Sequence, residues 1–541
     1  MKNIVYAAAA LLFAASCAPK KEQVDVLVFN AKVYTVNDVK PSATAFAIQD
    51  GKFIAVGESE DLQSQYTATN IVDAEGKAIT PGLIDAHCHF YGLGLNQQVV
   101  DLVGTKSYDE VVARVKAFQE EYPKTFIRGR GWDQNDWEVK EFPNKAPLDA
   151  MFPDVPVALE RVDGHAYLVN QKALDLAGIT NATPETGGAI LKENGLLTGV
   201  LVDNPMGMVD AVIPPVSKQE QINALKAAEA ICLSYGLTTV NDAGLSKETI
   251  LLIDSLQQAD ALQMKVYAMV SNTPSNLDYF LNRGIIKTPK LNVRSVKVYG
   301  DGALGSRGAT LKESYSDHKG HFGAMVTPVY EINALANRIS ESDYQMNTHA
   351  IGDSANVVVL RAYKKALQGK KDRRWKVEHA QIVSALDFDY FKDGIIPSVQ
   401  PTHATSDMYW AEDRLGKDRM KGAYAFKTLL NKAGLVALGT DFPVEQVSPF
   451  LTFYAAVARQ DTAQYPEGGF QMQDALSREE TLKGMTLWAA YSNFEENEKG
   501  SIEVGKQADF TIYEQDVMAV KTADIPKTKV LATYIDGVKR Y

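Results

Sequence analysis

The sequence of 541 residues predicts an α/β protein with a parallel βα region in the middle and one small β-sandwich formed by both chain ends. From about Pro81 to about Asn497, short apolar strands alternate with longer amphipathic stretches, which favours βα units around a parallel sheet. Residues 24–80 and 499–541 are instead rich in β-forming runs. Two β-rich ends around an unlike middle predict a single sandwich.

Local patterns predict individual elements. Asp50-Gly51 lies between two β-forming runs and is typical of a hairpin turn. Residues 217–235 are predicted to be helical, because Ser217 and Glu220 have the spacing of a capping box at a helix start. A second helix is predicted at 329–344. Buried strands are predicted at 236–240, 296–299 and 435–439.

One stretch of the middle does not follow the βα alternation. Residues 122–214 are less regular and rich in Pro, Gly and Asn. We interpret them as an insertion on the barrel rather than as one of its βα units.

Composition excludes several classes of protein. The chain is 45% hydrophobic and 23% charged, which is ordinary globular composition. Its formal net charge of −11 argues against nucleic acid or an anionic membrane surface as a partner. Three cysteines cannot form a disulfide framework, so Cys88 and Cys232 are predicted to be free, buried thiols.

The N-terminus is typical of a bacterial export signal. Residues 1–16 carry one positive charge and an apolar run too short to span a bilayer, which predicts a signal peptide. Small residues just before Cys17 resemble a lipobox, which implies cleavage there and lipidation of Cys17. Residues 17–23 would then be a linker to a lipid anchor in the cell envelope, periplasmic or surface-facing, and the anchor would be the protein's only contact with the membrane. The alternative is an ordinary signal peptide with an incidental cysteine.

A His-x-His pair gives the first chemical signal. An apolar run from Pro81 leads into His87-Cys88-His89. In a strand, side chains alternate between the two faces, so His87 and His89 share one face and Cys88 lies on the other. Two imidazoles at a strand end are suited to bind one metal ion, and Cys88 is not expected to be a ligand.

Four more polar residues each follow or end a short strand-like stretch. They are His349, His379, His403 and Asp441. Each separation leaves room for one strand and one helix, and a βα barrel brings its strand ends together at one mouth. This pattern predicts a shared metal site, against the alternative of scattered core histidines.

Lys297 lies within a strand predicted to be buried. Lysine is almost never fully buried without a partner. One interpretation is an ion pair with Asp301 or Asp441. The other is that desolvation lowers its pKa, so that the neutral amine takes up carbon dioxide and the carbamate bridges two metal ions.

The chain resembles the amidohydrolase superfamily of metal-dependent hydrolases, and within it the amidohydrolase-3 branch. The motifs that carry the resemblance are Asp50–Gly57, Pro81–His89, Asp163–His165, Asp301–Ala309, His349–Asp353, Glu378–Gln381, Gln400–Thr405, Gly500–Lys506 and Ala508–Asp509. The resemblance implies a distorted TIM (β/α)8 barrel over 81–498, with the sandwich built from both ends. It also implies a set of divalent metal ligands. These are His87, His89, His349, His379, Asp441 and Lys297, and at the position of Lys297 many members carry a carboxylated lysine. One or two zinc ions would suit this donor set.

The same resemblance implies hydrolysis of a small-molecule substrate at an amide or other non-peptide C–N bond. The metal makes hydroxide available near neutral pH, and Asp441 accepts its proton and returns it to the leaving group. His403 would contact substrate or the developing oxyanion. A deaminase or a lactone or ester hydrolase would use the same site, and a lipid-anchored solute-binding protein without catalysis is a third alternative.

Three further residues are predicted to contact substrate. His165 would cap the cavity mouth, although a structural hydrogen bond is the alternative. Arg307 would bind a substrate carboxylate, unless it pairs with a nearby acid. Trp132 would supply an aromatic wall, unless it is core. His318 and His321 are predicted to be solvated.

Overall fold

The computed structural model describes residues 21–541. The predicted signal peptide, and Cys17 with it, lie outside the described residues. Within residues 21–541, no helix is long and apolar enough to cross a membrane.

The strands and helices alternate through most of the described chain. The strands are β1 (Glu22–Phe29), β2 (Lys32–Tyr34), β3 (Ser42–Ala43), β4 (Ala45–Gln49), β5 (Lys52–Gly57), β6 (Tyr66–Asp73), β7 (Ala78–Pro81), β8 (Leu83–Cys88), β9 (Val100–Asp101), β10 (Ile127–Trp132), β11 (Val157–Arg161), β12 (Ala166–Val169), β13 (Gly188–Glu193), β14 (Leu196–Asp203), β15 (Leu237–Leu245), β16 (Lys265–Ser271), β17 (Ile286–Lys287), β18 (Leu291–Tyr299), β19 (Gln345–Ala350), β20 (Lys376–His379), β21 (Ile396–Val399), β22 (Ala437–Leu438), β23 (Phe510–Tyr513), β24 (Val530–Ile535) and β25 (Val538–Lys539). The helices are α1 (Ser59–Gln65), α2 (Phe90–Asn96), α3 (Tyr108–Glu121), α4 (Ala146–Met151), α5 (Gln171–Leu176), α6 (Met206–Asp210), α7 (Lys218–Ser234), α8 (Lys247–Gln258), α9 (Pro274–Arg283), α10 (Val329–Ser340), α11 (Asp353–Ala366), α12 (Pro401–Asp407), α13 (Ala411–Met420), α14 (Phe426–Ala433), α15 (Pro449–Ala458), α16 (Arg478–Gly484) and α17 (Leu487–Ser492).

The central sheet is a nearly closed barrel of parallel strands. Its strand order is β8-β15-β16-β18-β19-β20-β21-β22. The last strand meets the first through polar contacts rather than a full ladder: the Asp441 amide donates to the His87 carbonyl at 2.8 Å, and Thr440 Oγ1 donates to Asp85 Oδ2 at 2.7 Å. The predicted fold class, a distorted TIM barrel, is confirmed.

Both chain ends contribute to the sandwich. One sheet, β5-β4-β1-β6, is wholly N-terminal, while the other, β25-β24-β23-β7-β2-β3, joins β23 antiparallel to β7. Phe46 and Phe53 from the N-terminal part pack edge-on, and Phe46 also meets Phe510 from the C-terminal part. The predicted hairpin turn joins β4 to β5, and Asp50 and Gly51 both take positive φ, as such a turn requires.

The insertion is a separate sheet placed between the first and second barrel strands. Its order is β13-β14-β12-β11-β10-β9, and Val100 in β9 pairs with Gly129 in β10. It therefore begins well before the predicted boundary at residue 122. The start of the insertion could not be predicted from the sequence, because β9 has only two residues and α3 has the amphipathic pattern of an ordinary barrel helix.

Other local predictions can be compared with the structure directly. The Ser217–Glu220 capping box opens α7 as predicted. Helix α10 ends at Ser340, short of the predicted 344, because Tyr344 turns into the core and its hydroxyl donates to the Gly284 carbonyl at 2.9 Å. Cys88 and Cys232 are free and buried, also as predicted.

Candidate active site

A cavity of about 990 Å³ opens at the carboxyl ends of the barrel strands. Such ends are where barrel enzymes hold their reactive groups. The inserted sheet supplies one wall and the loops after β21 and β22 supply another. The polar residues that line its barrel side are His89, Lys297, His349, His379, His403 and Asp441.

Asp441 lies at the centre of these groups. Its Oδ1 is 3.2 Å from His89 Nε2 and 3.6 Å from His87 Nε2. Its Oδ2 is 3.7 Å from His403 Nε2 and 4.0 Å from His379 Nδ1. Burial works to raise the pKa of Asp441, but the surrounding imidazoles outweigh it and hold that pKa well below its ordinary value. Asp441 is therefore an ionised carboxylate facing four imidazole rings.

Two of these residues are held in a left-handed backbone conformation. His379 has φ +70° and Asp441 has φ +63°, which non-glycine residues rarely adopt. At His379 the consequence is direct. Neighbouring residues of an extended strand face opposite ways, but here Glu378 contacts His87 while His379 lines the cavity. Such strain collects at functional sites.

Glu378 fixes the orientation of His87. The Nδ1–H of His87 donates to Glu378 Oε2 at 2.6 Å, and both side chains are completely buried. With Nδ1 engaged, Nε2 is the nitrogen that faces Asp441. Carboxylates hold metal-ligating histidines in this way in many metal sites.

Lys297 and His349 lie beside this group. Lys297 Nζ is 3.1 Å from His87 Nε2 and makes no ion pair with a carboxylate among residues 21–541, so the interpretation as a pair with Asp301 or Asp441 is wrong. Burial lowers the pKa of Lys297 and favours its neutral amine. The His349 ring centre is 4.5 Å from that of His379, and its Nε2 is 3.7 Å from Asp301 Oδ1.

The donor set fits a divalent metal ion. Ligand atoms of His87, His379 and Asp441 all lie within 4.8 Å of one another, and all three residues are buried. Asp441 Oδ1 is buried without a hydrogen bond of good geometry, although carboxylates rarely remain so. Imidazole and carboxylate together suit zinc and neighbouring transition metals.

Two histidines outside the three-residue group flank the cluster. The His403 ring stacks on that of His379 with centres 5.9 Å apart, and its Nε2 is buried without a partner among the described residues. His165 approaches from the insertion, with its ring centre 5.4 Å from that of His349. His165 lines the cavity and makes a hydrogen bond to Asp203, so the structural alternative is present, and contact with substrate stays a prediction.

Two sequence predictions need correction. Trp132 is completely buried in the core of the inserted sheet, where its Nε1 donates to the Leu159 carbonyl at 2.8 Å, and Trp410 is the indole in the cavity wall. Arg307 does not line the cavity, because Asp317 engages its guanidinium at 3.0 and 3.3 Å. Both outcomes match the structural alternative considered for each residue.

The loop of His318 and His321 is only partly as predicted. His318 is exposed, but His321 is half-buried and its Nε2 lies 2.8 Å from the Arg307 carbonyl oxygen. This contact with Arg307 keeps His321 from full solvation.

Sequence reasoning assigned no role to Glu378, Asp203 or Trp410. Glu378 had a usable signal, since it is an acidic residue in a short strand that also contains Lys376. Asp203 follows the apolar run of β14, in the same way that the predicted site residues follow their strands. Trp410 had no signal, because its place in the wall depends on how α12 and α13 are joined.

Known proteins resemble the chain along nearly its whole length. The sequence pattern of the amidohydrolase family, Amidohydro_3, matches residues 70–541. The protein LONG AFTER FAR-RED 3 of Arabidopsis thaliana is 33% identical over 542 residues, covering 96% of this chain and 91% of that protein. The N-substituted formamide deformylase of Arthrobacter pascens is 26% identical over 541 residues, covering 96% and 98%. Among solved structures, an uncharacterized metal-dependent hydrolase from Pyrococcus horikoshii aligns with a TM-score of 0.75 and 28% identity, covering 92% of this chain and 99% of that one.

Proposed function

The chain belongs to the amidohydrolase family of metal-dependent hydrolases, and on that basis we propose that it cleaves an amide or another non-peptide C–N bond of a small molecule, with Asp441 as the base. The observation that carries this proposal is the Asp441 carboxylate, which is buried among imidazoles and lines a cavity of about 990 Å³.

The proposed ligands follow from the donor set. His87, His379 and Asp441 would hold the metal, with His89, His349 and a carboxylated Lys297 completing a site for one or two zinc ions. When bound, a divalent metal supplies a Lewis acid that lowers the pKa of a water molecule toward neutrality.

The chain's own residues would move the proton and hold the substrate. Asp441 Oδ2 accepts the proton that the attacking water loses, and gives it back when the leaving group departs. His403 Nε2 is 3.7 Å from the same oxygen and has no partner among the described residues, so it is free to donate to the substrate carbonyl oxygen. Glu378 keeps His87 in one tautomer throughout.

We prefer a C–N bond as the target because one relative is named as an enzyme that cleaves such a bond. The Arthrobacter pascens protein is an N-substituted formamide deformylase, an enzyme named for the hydrolysis of such a bond, and the alignment covers both chains almost completely. Deamination and lactone or ester hydrolysis are the other outcomes of the test.

The test is a substrate panel assayed with zinc supplied. Formamides, other N-acyl amines, aminopurines and lactones would be compared in the wild type and in Asp441→Asn. We expect turnover of at least one acyl amine, which the variant abolishes while it still binds metal. Turnover of a lactone alone would contradict cleavage of a C–N bond, and turnover of an aminopurine alone would replace hydrolysis of an acyl amine with deamination.

We also propose that the protein is lipid-anchored in the bacterial cell envelope. The support is the apolar run of residues 1–16 and the small residues before Cys17. Mass spectrometry of the mature N-terminus is expected to find a lipidated Cys17, and Cys17→Ser is expected to release the protein from membranes. An unmodified cysteine on a membrane-free protein would contradict the proposal.

A further inference from the structure

A second pair of ionisable side chains lies at the other end from His403 of the row of rings His165, His349, His379 and His403. The Nδ1–H of His165 donates to Asp203 Oδ1 at 2.7 Å. The two side chains are 14% and 6% exposed, so the bond is shielded from water. The His165 ring lines the cavity next to His349.

Asp203 is held in place by an unusual local geometry. It ends β14 with φ +56°, a conformation that non-glycine residues rarely adopt. A Cβ added at Gly302 or at Gly308 would lie 2.9 Å from Asp203 Oδ2, closer than a side chain tolerates. The loop after β18 therefore leaves room for this carboxylate through two glycines.

His165 is fixed from its own side as well. Its amide donates to Asp163 Oδ1 at 3.1 Å, and Asp163 is paired with the buried Arg161. The His165 carbonyl accepts from the Asp203 amide at 3.0 Å. Backbone and side chains thus join His165 to Asp203 twice, and its other ring nitrogen, Nε2, has no hydrogen-bond partner among residues 21–541.

An imidazole with one nitrogen held by a carboxylate and the other free is an arrangement suited to general acid–base catalysis. We propose that His165, oriented by Asp203, is the general acid that gives a proton from Nε2 to the leaving nitrogen. His403 and His165 flank the cluster at opposite ends, so one would serve the carbonyl oxygen and the other the leaving group.

The step balances without another reactant. The C–N bond breaks, its electron pair goes to nitrogen, and that nitrogen takes the proton from His165 Nε2. Asp441 releases the proton that it took from water to solvent in the cavity, and His165 Nε2 takes up a proton from the same solvent, since both residues line that cavity. This inference rests on the proposed function and specifies which residue gives the leaving group its proton.

The test compares two amides that share one acyl group, N-butylformamide and N-formyl-4-nitroaniline. Butylamine is a poor leaving group and needs protonation, whereas 4-nitroaniline needs it much less. His165→Asn and Asp203→Asn are expected to lose about 100-fold or more in kcat on the butyl amide and less than about 10-fold on the anilide. Bound metal and thermal unfolding are expected to stay at wild-type values.

The matched control is Asp210→Asn, which removes an exposed carboxylate of the insertion that also accepts a side-chain hydrogen bond. Asp210 accepts from the Tyr167 hydroxyl at 2.8 Å and does not line the cavity, so both amides should be turned over as in the wild type. An equal loss on both amides in the His165 variant, or no loss on the butyl amide, would overturn the inference. A wild type that cleaves no acyl amine of the substrate panel would overturn the proposed function, and this inference with it.

Discussion

Two buried lysines at opposite ends of the barrel have opposite surroundings. Lys265 begins β16, and its Nζ contacts Gln507 Oε1 at 2.8 Å, Asp536 at 2.7 Å and both oxygens of Asp509 at 2.8 and 2.7 Å. Lys297 lies near the end of β18, and its polar contact is His87 Nε2 at 3.1 Å. Their side chains are both almost completely buried.

The different surroundings of the two lysines indicate different roles, one in stability and one in the functional site. A buried charge is tolerated when it is paired and hydrogen-bonded, as Lys265 is. Because its partners belong to the C-terminal part of the chain, this cluster also joins the barrel to the sandwich. At the mouth, Lys297 has no carboxylate partner, and Asp441 Oδ1 and His403 Nε2 lack hydrogen bonds within the described residues. At the Lys265 end, the protein's own groups satisfy the buried lysine. At the mouth, buried polar atoms are left without protein partners among residues 21–541, as a ligand site requires.

The largest effect is expected at Asp441. Asp441→Asn keeps the shape of the side chain but removes the base, so kcat should fall by at least about 10³-fold. Steady-state kinetics, with metal content measured in parallel, would check this. A variant that keeps most of its turnover would place the base elsewhere.

At the Lys265 end, the expected effect is on stability. Lys265→Met leaves Asp509 and Asp536 without their cation, and the free energy of unfolding should fall by about 3–5 kcal/mol. Chemical denaturation measures it. The kcat of the folded fraction should be unchanged, because the cluster does not touch the cavity. An unchanged stability would remove one half of the comparison.

Lys297→Met is expected to do the reverse. In metal-free protein its free energy of unfolding should stay within about 1 kcal/mol of the wild type or rise, because an unpaired buried amine is replaced by an apolar side chain. Turnover with metal supplied should fall at least about 10-fold. If this variant unfolds as readily as Lys265→Met, the two ends do not differ as described.

A smaller effect is expected within the insertion. Trp132→Phe removes core volume and the hydrogen bond to Leu159, which should cost about 1–3 kcal/mol of stability. KM should change by less than about twofold, since the indole does not face the cavity. A larger change in KM, with stability unaltered, would restore Trp132 as a wall residue.

Much of the barrel could be predicted because its signals are local. His87 and His89 share a strand face by simple alternation, and His349 and His379 lie at the carboxyl ends of β19 and β20. Strand pairing between β7 and β23 was foreseeable only in outline, from the similar character of the two chain ends. The remaining features depend on long-range packing. Whether Arg307 meets substrate or Asp317 depends on the path of its own loop.

The site residues also divide into those with a local sequence signal and those whose role depends on long-range packing. Asp203 and Glu378 work through histidines that are distant in sequence, by 38 positions for the Asp203–His165 bond and 291 for the Glu378–His87 bond. No pattern in a single sequence links such pairs. Their roles became visible only when the fold brought the side chains within hydrogen-bonding distance.

The central claim is that the barrel mouth is a metal site built from His87, His379 and Asp441. The most direct test is the metal content per chain, measured by elemental mass spectrometry on protein that begins after Cys17 and is prepared without added metal. The account predicts about one or two zinc equivalents, which a His87→Ala/His379→Ala double variant loses. Two equivalents would favour a carboxylated Lys297. No bound metal in the wild type, even after zinc is supplied, would contradict the account.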